Sequence, residues 1–357
     1  MNSLESLIDA AVAEGAVPGA VLLAGFGTSG TPVVAHAAGV TGRPDRSAMT
    51  LDTVFDLASL TKVTATLPLV LHLARRGELG LDDPVRRALP RFPDDRVTLR
   101  QLLSHTSGLP AVWPLHDMDT DPAGRWHAVL DIRPQAEPGT VMRYSDIGFM
   151  VLGLVVETVT GAALDRVATE VVFGPLGMAD TRYRPPESWA ARCAATEKSA
   201  EGVATLGVVH DENAAALGGV AGHAGLFGTA ADLGRYLRAW LDPEFPLTGA
   251  ELRAEALRRQ TREAEGQDGF EAWRGLGWTL RGDRWDHMGT LWPASGAGHT
   301  GFTGTSVAID PVGGAWVVLL TNAVHFGRGR SGIIALRRQV HDAAAELAQR
   351  YGSPQWT

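Results

Sequence analysis

Apolar residues recur at helical spacing in several parts of the chain and predict where its helices lie. The stretch nearest the N-terminus predicts an amphipathic helix packed on the body of the protein. Its apolar residues are Leu4, Leu7, Ile8, Ala11 and Val12. Further helices are predicted over residues 59–76, 97–103, 146–160 and 331–350, and directly after Thr229.

Two of these helices carry local signals. Pro68 lies inside the segment 59–76 and predicts a kink or a break there, and Gly77 is a typical stop signal. Thr229-Ala230-Ala231-Asp232 matches a capping box ahead of an apolar stripe. The helix over 146–160 is apolar on all sides, which indicates a buried helix.

Short apolar runs bounded by glycine predict β-strands near both ends of the chain. The runs at 20–26 and 33–40 are separated by a turn at 27–30 and predict a hairpin. The remaining predicted strands cover residues 53–57, 275–280, 306–309 and 316–321.

This distribution predicts an α+β fold in which the two ends of the chain build one sheet and a helical lobe is inserted between them. We place the sheet domain at residues 1–60 and 262–357, and the mainly helical domain at 61–261.

Composition narrows the function classes. The 357 residues are 45% hydrophobic and 20% charged, with a net charge of −8 and no dense basic cluster, so we expect no nucleic-acid partner. Cys193 is the single cysteine, which rules out an intramolecular disulfide. No histidine pair has the spacing of a helical metal site, and we expect no metal and no other cofactor.

The N-terminal segment lacks the positive region of a secretion signal, since the first lysine or arginine is Arg43. The longest apolar stretches, such as 147–156, are too short to span a bilayer. These features predict a cytoplasmic protein without a membrane partner. They leave its oligomeric state open.

Ser59-Leu60-Thr61-Lys62 places a hydroxyl nucleophile three residues before a lysine at a predicted helix start. Residues three apart share a helix face, so Lys62 can reach the hydroxyl of Ser59. The only other lysine is Lys198, and an arginine could not accept a proton. To act as a base Lys62 must be neutral or share a proton; the helix N-terminus and burial both predict a lowered pKa.

Two further segments carry candidate chemistry. In Tyr144-Ser145-Asp146 a tyrosine precedes the buried helix, where it is either a proton shuttle or an anchor of the loop. His299-Thr300-Gly301 lies in a glycine-rich run before a predicted strand. It is either a simple hairpin turn or a strand edge that holds a peptide-like substrate.

The three segments, in this order, resemble the motifs of the penicillin-recognising serine hydrolases, which include β-lactamases, D-Ala-D-Ala peptidases and β-lactamase-like esterases. Supporting segments, typical of the class C branch, are 81–85, 102–109 and 224–229. The resemblance covers nearly the whole chain. It implies a β-lactamase-like fold, with an antiparallel sheet, flanking terminal helices and an active site at the junction of the two domains.

The resemblance also implies roles for individual residues. Ser59 corresponds to the nucleophile, Lys62 to its base partner and Tyr144 to the residue that relays protons. The backbone N–H groups of Ser59 and Phe302 would form the oxyanion hole. The implied reaction is acyl transfer to Ser59 from a small-molecule or peptide-like amide or ester.

The chain departs from the family pattern at two positions. Asp146 replaces an asparagine and, when ionised, only accepts hydrogen bonds. It therefore favours a substrate that donates hydrogen bonds or carries positive charge, unless Lys62 holds it. His299 replaces a lysine in many members and is a poorer clamp for a carboxylate, although some D-Ala-D-Ala peptidases also have histidine there. We expect Asp146, His299, Thr300 and Gly301 to contact substrate.

The segments 209–213 and 218–223 resemble a bacterial subgroup that contains muramyl-peptide amidases, in which His223 would either face the cleft or support a loop. The sequence thus predicts a serine hydrolase and leaves its substrate open. The alternatives are a cytosolic muramyl-peptide amidase or D-Ala peptidase, an acyltransferase or esterase of small-molecule biosynthesis, and a non-catalytic penicillin-binding-like receptor. His105 is interpreted as a structural residue.

Overall fold

The computed structural model describes residues 3–28, 31–199, 202–245, 247–261, 265–266, 269–329 and 331–350. The α-helices are α1 (Leu4–Ala13), α2 (Leu67–Arg75), α3 (Leu99–Leu103), α4 (Pro122–Val129), α5 (Asp146–Thr160), α6 (Leu164–Ala168), α7 (Glu212–Ala216), α8 (Ala230–Leu241), α9 (Gly249–Leu257) and α10 (Ser331–Arg350). Segments of π-helix cover Lys62–Thr66 and Thr169–Phe173.

The strands are β1 (Gly19–Phe26), β2 (Val34–Gly39), β3 (Phe55–Asp56), β4 (Val141–Met142), β5 (Arg182–Tyr183), β6 (Leu226–Gly228), β7 (Glu265–Gly266), β8 (Thr279–Leu280), β9 (Ala297–Thr300), β10 (Ser306–Ile309) and β11 (Ala315–Thr321). Six of them form one antiparallel sheet in the order β2-β1-β11-β10-β9-β8. The sheet therefore joins the two ends of the chain. The domain boundaries placed near residues 60 and 262 stay a prediction.

The central strands are apolar on both faces because both faces are covered. Leu22 of β1 belongs to a core cluster with Ile8 of α1 and Val340 of α10. The next residue, Leu23, points the other way and belongs to the main core cluster with Leu233 of α8. Successive side chains of a strand alternate between the faces, so α1 and α10 cover one face and α8 the other.

The segment predicted as one helix over 59–76 has two parts. Residues 62–66 form a π-helical turn, closed by a hydrogen bond from the Leu67 N–H to the Lys62 carbonyl, and α2 follows. Pro68 has no N–H to continue the regular ladder, and the change from π-helix to α-helix falls just before it. The backbone stays helical through Thr66 and Leu67, so the predicted interruption is a change of helix type and not a chain break.

Two local predictions are wrong in part. The run 275–280 forms a strand only at its last two residues, since Gly277 has φ +75° and the Gly275 N–H donates to the Trp278 carbonyl in a tight turn. At α8 the Thr229 hydroxyl accepts from the Asp232 N–H, but the Asp232 carboxylate accepts from Asp180 and Thr181 instead of closing the capping box.

Within the described ranges, no single helix combines the length and apolarity needed to cross a membrane. The bent pair Asp146–Thr160 and Leu164–Phe173 reaches that length and composition only together, at an angle of 80°. Most of α5 is buried in the protein interior.

Candidate active site

Ser59 lies at a tight junction between β3 and the helical segment. Ala58, directly before it, has φ +47°, a conformation that residues with a Cβ rarely adopt. The N–H groups of Leu60 and Thr61 donate to the carbonyls of Leu57 and Ala58, which closes the turn. Ser59 is partly exposed, whereas Lys62, one turn on, is fully buried. The hydrogen-bonded turn therefore fixes the position of Ser59 while leaving the residue partly open to solvent.

The ammonium of Lys62 lies within hydrogen-bonding distance of oxygens from Ser59, Asp146 and His223. Its Nζ lies 3.0 Å from Ser59 Oγ, 2.6 Å from Asp146 Oδ1 and 3.3 Å from the carbonyl oxygen of His223. The sequence-predicted contact between Ser59 and Lys62 is thus present. The contact with Asp146 brings together residues 84 positions apart in sequence.

Electrostatics at Lys62 differ from the sequence-based expectation. Burial lowers the pKa of Lys62, but the Asp146 carboxylate, together with Tyr144, outweighs burial and raises that pKa above its ordinary value of 10.5. The prediction of a lowered pKa is therefore wrong. Lys62 rests as an ammonium, and it can accept the Ser59 proton only while passing one of its own protons on.

Tyr144 packs beside this ion pair. The Lys62 Nζ lies 4.9 Å from the centroid of the Tyr144 ring, and the centroid of the His105 ring lies 4.5 Å from the same point. His105 Nδ1 accepts the Ser145 N–H at 3.0 Å, and the Ser145 hydroxyl caps α5 by accepting the Gly148 N–H. The interpretation of His105 as structural agrees with these contacts, because they fix the loop that carries Tyr144.

His299 lies on β9 and is 2% exposed. Its Nδ1 is 2.9 Å from the Thr300 carbonyl oxygen and must carry the hydrogen of that bond, so Nε2 has the lone pair. Burial, followed by the charges of Lys62 and Arg274, lowers the pKa of His299 well below its usual range. Nε2 is buried and has no hydrogen-bond partner among the described residues. His299 is therefore a neutral acceptor.

The turn after β9 approaches the nucleophile junction closely. Thr303 Oγ1 donates to the Asp56 carbonyl at 2.7 Å, and Thr305 Oγ1 donates to the Leu57 carbonyl at 3.1 Å. The Gly301 N–H donates to the Thr305 carbonyl at 2.7 Å. Phe302, the residue expected to supply an oxyanion N–H, lies in this turn and is 39% exposed.

Gly301 makes this approach possible. A Cβ at this position would lie 2.1 Å from Thr305 Oγ1 and 2.6 Å from the Leu57 carbonyl oxygen. We expect Gly301→Ala to slow the reaction of Ser59 with a fluorophosphonate by roughly 100-fold, because the turn must move away from the nucleophile. Gly329→Ala is the matched control, since a Cβ there meets nothing within 4 Å. Equal rates for the two variants would contradict the close approach.

His223 is placed differently from the role in substrate binding expected of it. Its side chain is 1% exposed, and Nε2 lies 2.9 Å from Asp211 Oδ1. The carbonyl of His223, not its imidazole, contacts the site through Lys62. The imidazole of His223 is thus buried against Asp211, an arrangement that agrees with the loop-support alternative.

A cleft of about 360 Å³ opens beside the site. Its lining includes Tyr144, His299, Thr300, Met142 and Trp285. Thr300, expected to contact substrate, thus faces the cleft together with His299.

Arg274 also lines this cleft, and sequence reasoning missed it. It is buried, pairs with Asp283 at 3.0 Å, donates to Thr279 Oγ1 at 2.6 Å, and lies 5.9 Å from the Tyr144 ring centroid. Nothing in the local sequence of Arg274, which is flanked by tryptophan and glycine, marks it as part of a site.

In the described part of the chain, no group of three or more His, Cys, Asp or Glu residues is arranged to hold a metal ion.

Comparisons with known proteins agree on the family. The family model described as "Beta-lactamase" matches residues 4–342. A protein of Escherichia coli (strain K12) whose name proposes a D-alanyl-D-alanine carboxypeptidase is 34% identical over 316 residues, covering 77% of this chain and 70% of its own.

Solved structures show the same fold. A β-lactamase from Mycobacterium bovis is 26% identical with a TM-score of 0.65, covering 94% of this chain and 98% of its own. EstCE1, titled a hydrolase with promiscuous acyltransferase activity, is 24% identical with a TM-score of 0.77, covering 96% and 97%. These comparisons confirm the predicted α+β, β-lactamase-like fold. The chain belongs to the β-lactamase family and is a serine hydrolase.

Proposed function

We propose that this hydrolase cleaves neutral esters or amides through an acyl-Ser59 intermediate and prefers them to peptides that end in a free carboxylate. His299 carries the proposal. Many penicillin-recognising serine hydrolases have a lysine at this position. The Nε2 atom of His299 has a lone pair, and the imidazole carries no positive charge. A neutral imidazole whose free nitrogen is an acceptor offers a substrate carboxylate neither a positive charge nor a hydrogen-bond donor, whereas a neutral ester or amide needs neither.

The two arginines that line the cleft do not change this preference. Arg284 is exposed to solvent, and its guanidinium lies over the rings of Phe270 and Trp285. Arg274 is committed to Asp283 and to the Thr279 hydroxyl. Removing Arg274 from Asp283 to bind a substrate carboxylate would leave the buried Asp283 carboxylate unpaired, which is strongly unfavourable. The cleft beside His299 thus provides hydrogen-bond acceptors and apolar surface, and Arg274 is not available to a substrate carboxylate.

The proposed reaction follows from the contacts of Ser59. Its oxygen attacks the acyl carbon, the bond to the leaving group breaks, and the Ser59 proton ends on the leaving group. Lys62 lies 3.0 Å from the hydroxyl and 2.6 Å from Asp146, so it can accept the Ser59 proton while one of its own moves toward Asp146. The N–H groups of Ser59 and Phe302 are the proposed donors to the oxyanion. Water then hydrolyses the acyl-enzyme.

A substrate panel tests the preference. We expect kcat/KM for p-nitrophenyl butyrate to exceed that for diacetyl-L-Lys-D-Ala-D-Ala by at least about 100-fold. His299→Lys should narrow the ratio roughly tenfold, since one charge-assisted hydrogen bond to a carboxylate contributes about 1.5–3 kcal/mol. His127→Lys, at an exposed position on α4, is the control and should leave the ratio unchanged. A wild-type preference for the peptide would overturn the proposal.

A D-Ala-D-Ala carboxypeptidase is the second candidate, because the name of the E. coli relative points to that activity for that protein. It predicts release of D-alanine from the diacetylated peptide at a rate that exceeds ester hydrolysis. The same panel therefore separates the two candidates, and neither depends on the variant at His299.

A further inference from the structure

Asp56, the last residue of β3, has a buried carboxylate beside the nucleophile. Its side chain is 2% exposed, and both oxygens accept hydrogen bonds from backbone N–H groups. Oδ1 accepts the Ala58 N–H at 2.8 Å, and Oδ2 accepts the His210 N–H at 2.7 Å. Its partners are thus main-chain groups rather than lysine or arginine side chains.

The first hydrogen bond acts on the conformation before the nucleophile. Ala58 has φ +47°, in the left-handed region where its Cβ crowds the backbone. A short polar side chain two residues earlier that accepts the N–H stabilises such a turn. Because Ser59 follows directly, the direction of its hydroxyl and its N–H depends on Ala58 keeping this conformation.

The second hydrogen bond ties this turn to the segment 209–213, which resembled part of a bacterial subgroup but has no role in the reaction described above. The His210 ring stacks on Phe302 with centroids 5.6 Å apart. Asp211 holds His223, whose carbonyl contacts Lys62. The Asp56 carboxylate therefore connects the turn before Ser59 to the segment that contacts Phe302 and, through His223, Lys62.

We propose that ionised Asp56 is a positioning residue, which holds Ala58 in its left-handed conformation and so aligns Ser59 for attack. Asparagine cannot replace it fully, because an amide offers one acceptor oxygen where the carboxylate offers two. A protonated carboxyl has the same deficiency. The alignment of Ser59 is therefore lost when Asp56 takes up a proton.

The titratable groups near Asp56 and its burial determine the pH range over which its carboxyl ionises. These groups are His210 and Asp211 on the segment before α7, and Cys193, whose backbone pairs with that of Val54 on the other side. Burial raises the pKa of Asp56 to about 6. Ionised Asp56 is thus favourable for reaction but not for folding. Its contribution to folding stability is greatest below its ordinary pKa of 3.8 and is lost as the pH rises from there through 6, whereas reactivity increases as Asp56 ionises around pH 6.

The test is the rate at which a fluorophosphonate labels Ser59, a reaction that needs no knowledge of the substrate. At pH 8 we expect Asp56→Asn to slow labelling roughly 10- to 100-fold in a protein that remains folded at the assay temperature. The ratio of wild-type to variant rate should fall toward one at pH 5, where wild-type Asp56 is protonated. A ratio that stays the same at both pH values would overturn the proposal.

Two further variants separate positioning from general structure. Ala58→Gly takes the left-handed conformation without strain, so it should restore part of the labelling rate to Asp56→Asn. Asp232→Asn is the matched control: Asp232 is also 2% exposed and accepts the Asp180 N–H, but it lies on α8 outside the site. Equal losses in Asp56→Asn and Asp232→Asn, or no rescue by Ala58→Gly, would count against Asp56. Failure of the substrate panel would not affect either result.

Discussion

Lys62→Arg is expected to reduce kcat about 1,000-fold or more. The side chain is fully buried, and its hydrogen-bonding positions are taken up by Ser59, Asp146 and the His223 carbonyl. A guanidinium is larger and planar, so it cannot reproduce this arrangement in the same space, and it cannot take up and pass on a proton. Losses of this size are typical when a member of a catalytic unit is removed.

The measurement is kcat for p-nitrophenyl butyrate together with the labelling of Ser59. Lys198→Arg provides a matched control, since it replaces the only other lysine of the chain at an exposed position. We expect the control to retain wild-type kcat. A kcat for Lys62→Arg within tenfold of wild type would show that proton transfer does not pass through this side chain.

The sequence predicted the elements of the site better than its electrostatics. Ser59 and Lys62 are three residues apart, so a local rule of helix geometry was enough to predict their contact. The sign of the pKa shift at Lys62 depends on Asp146, 84 residues away, and no local pattern reveals that pair. The sequence allows for a contact between Lys62 and Asp146, and the structure contains it.

His223 and Asp56 show the same limit. A histidine among glycines is compatible with a cleft and with a buried loop, and only the contact with Asp211 decides between them. The carboxylate of Asp56 joins β3 to the segment before α7, 154 residues later, through a backbone N–H that any residue type except proline could supply. A hydrogen bond to a backbone N–H therefore cannot be predicted from the identity of the donor residue.

Asp146→Asn is expected to lower the free energy of unfolding by about 3 kcal/mol at pH 6, because it leaves a buried ammonium without its counter-charge. The side chains of Lys62 and Asp146 are 0% and 19% exposed, so solvent screens the pair weakly. Without the carboxylate, burial is the dominant influence and lowers the pKa of Lys62 below 10.5.

This change gives the variant a pH dependence that wild type lacks. In wild type the pKa of Lys62 lies above 10.5, so the contribution of the pair is fully present below that pH and is lost only above it. In Asp146→Asn the folded state releases the proton more readily than the unfolded state, so its stability rises with pH up to 10.5. We therefore expect the difference from wild type to shrink between about pH 6 and about pH 9.5 in urea unfolding.

The matched control for this prediction is Asp131→Asn, which removes an exposed carboxylate paired with Arg91. Exposed pairs contribute little, so this variant should stay within about 0.5 kcal/mol of wild type at both pH values. A loss for Asp146→Asn that is equally small, or that is the same at both pH values, would show that Asp146 does not keep Lys62 protonated. The larger, pH-dependent loss would instead mean that Asp146 sets the charge of the catalytic lysine, and that substrate choice at this site depends chiefly on His299 and the cleft beside it.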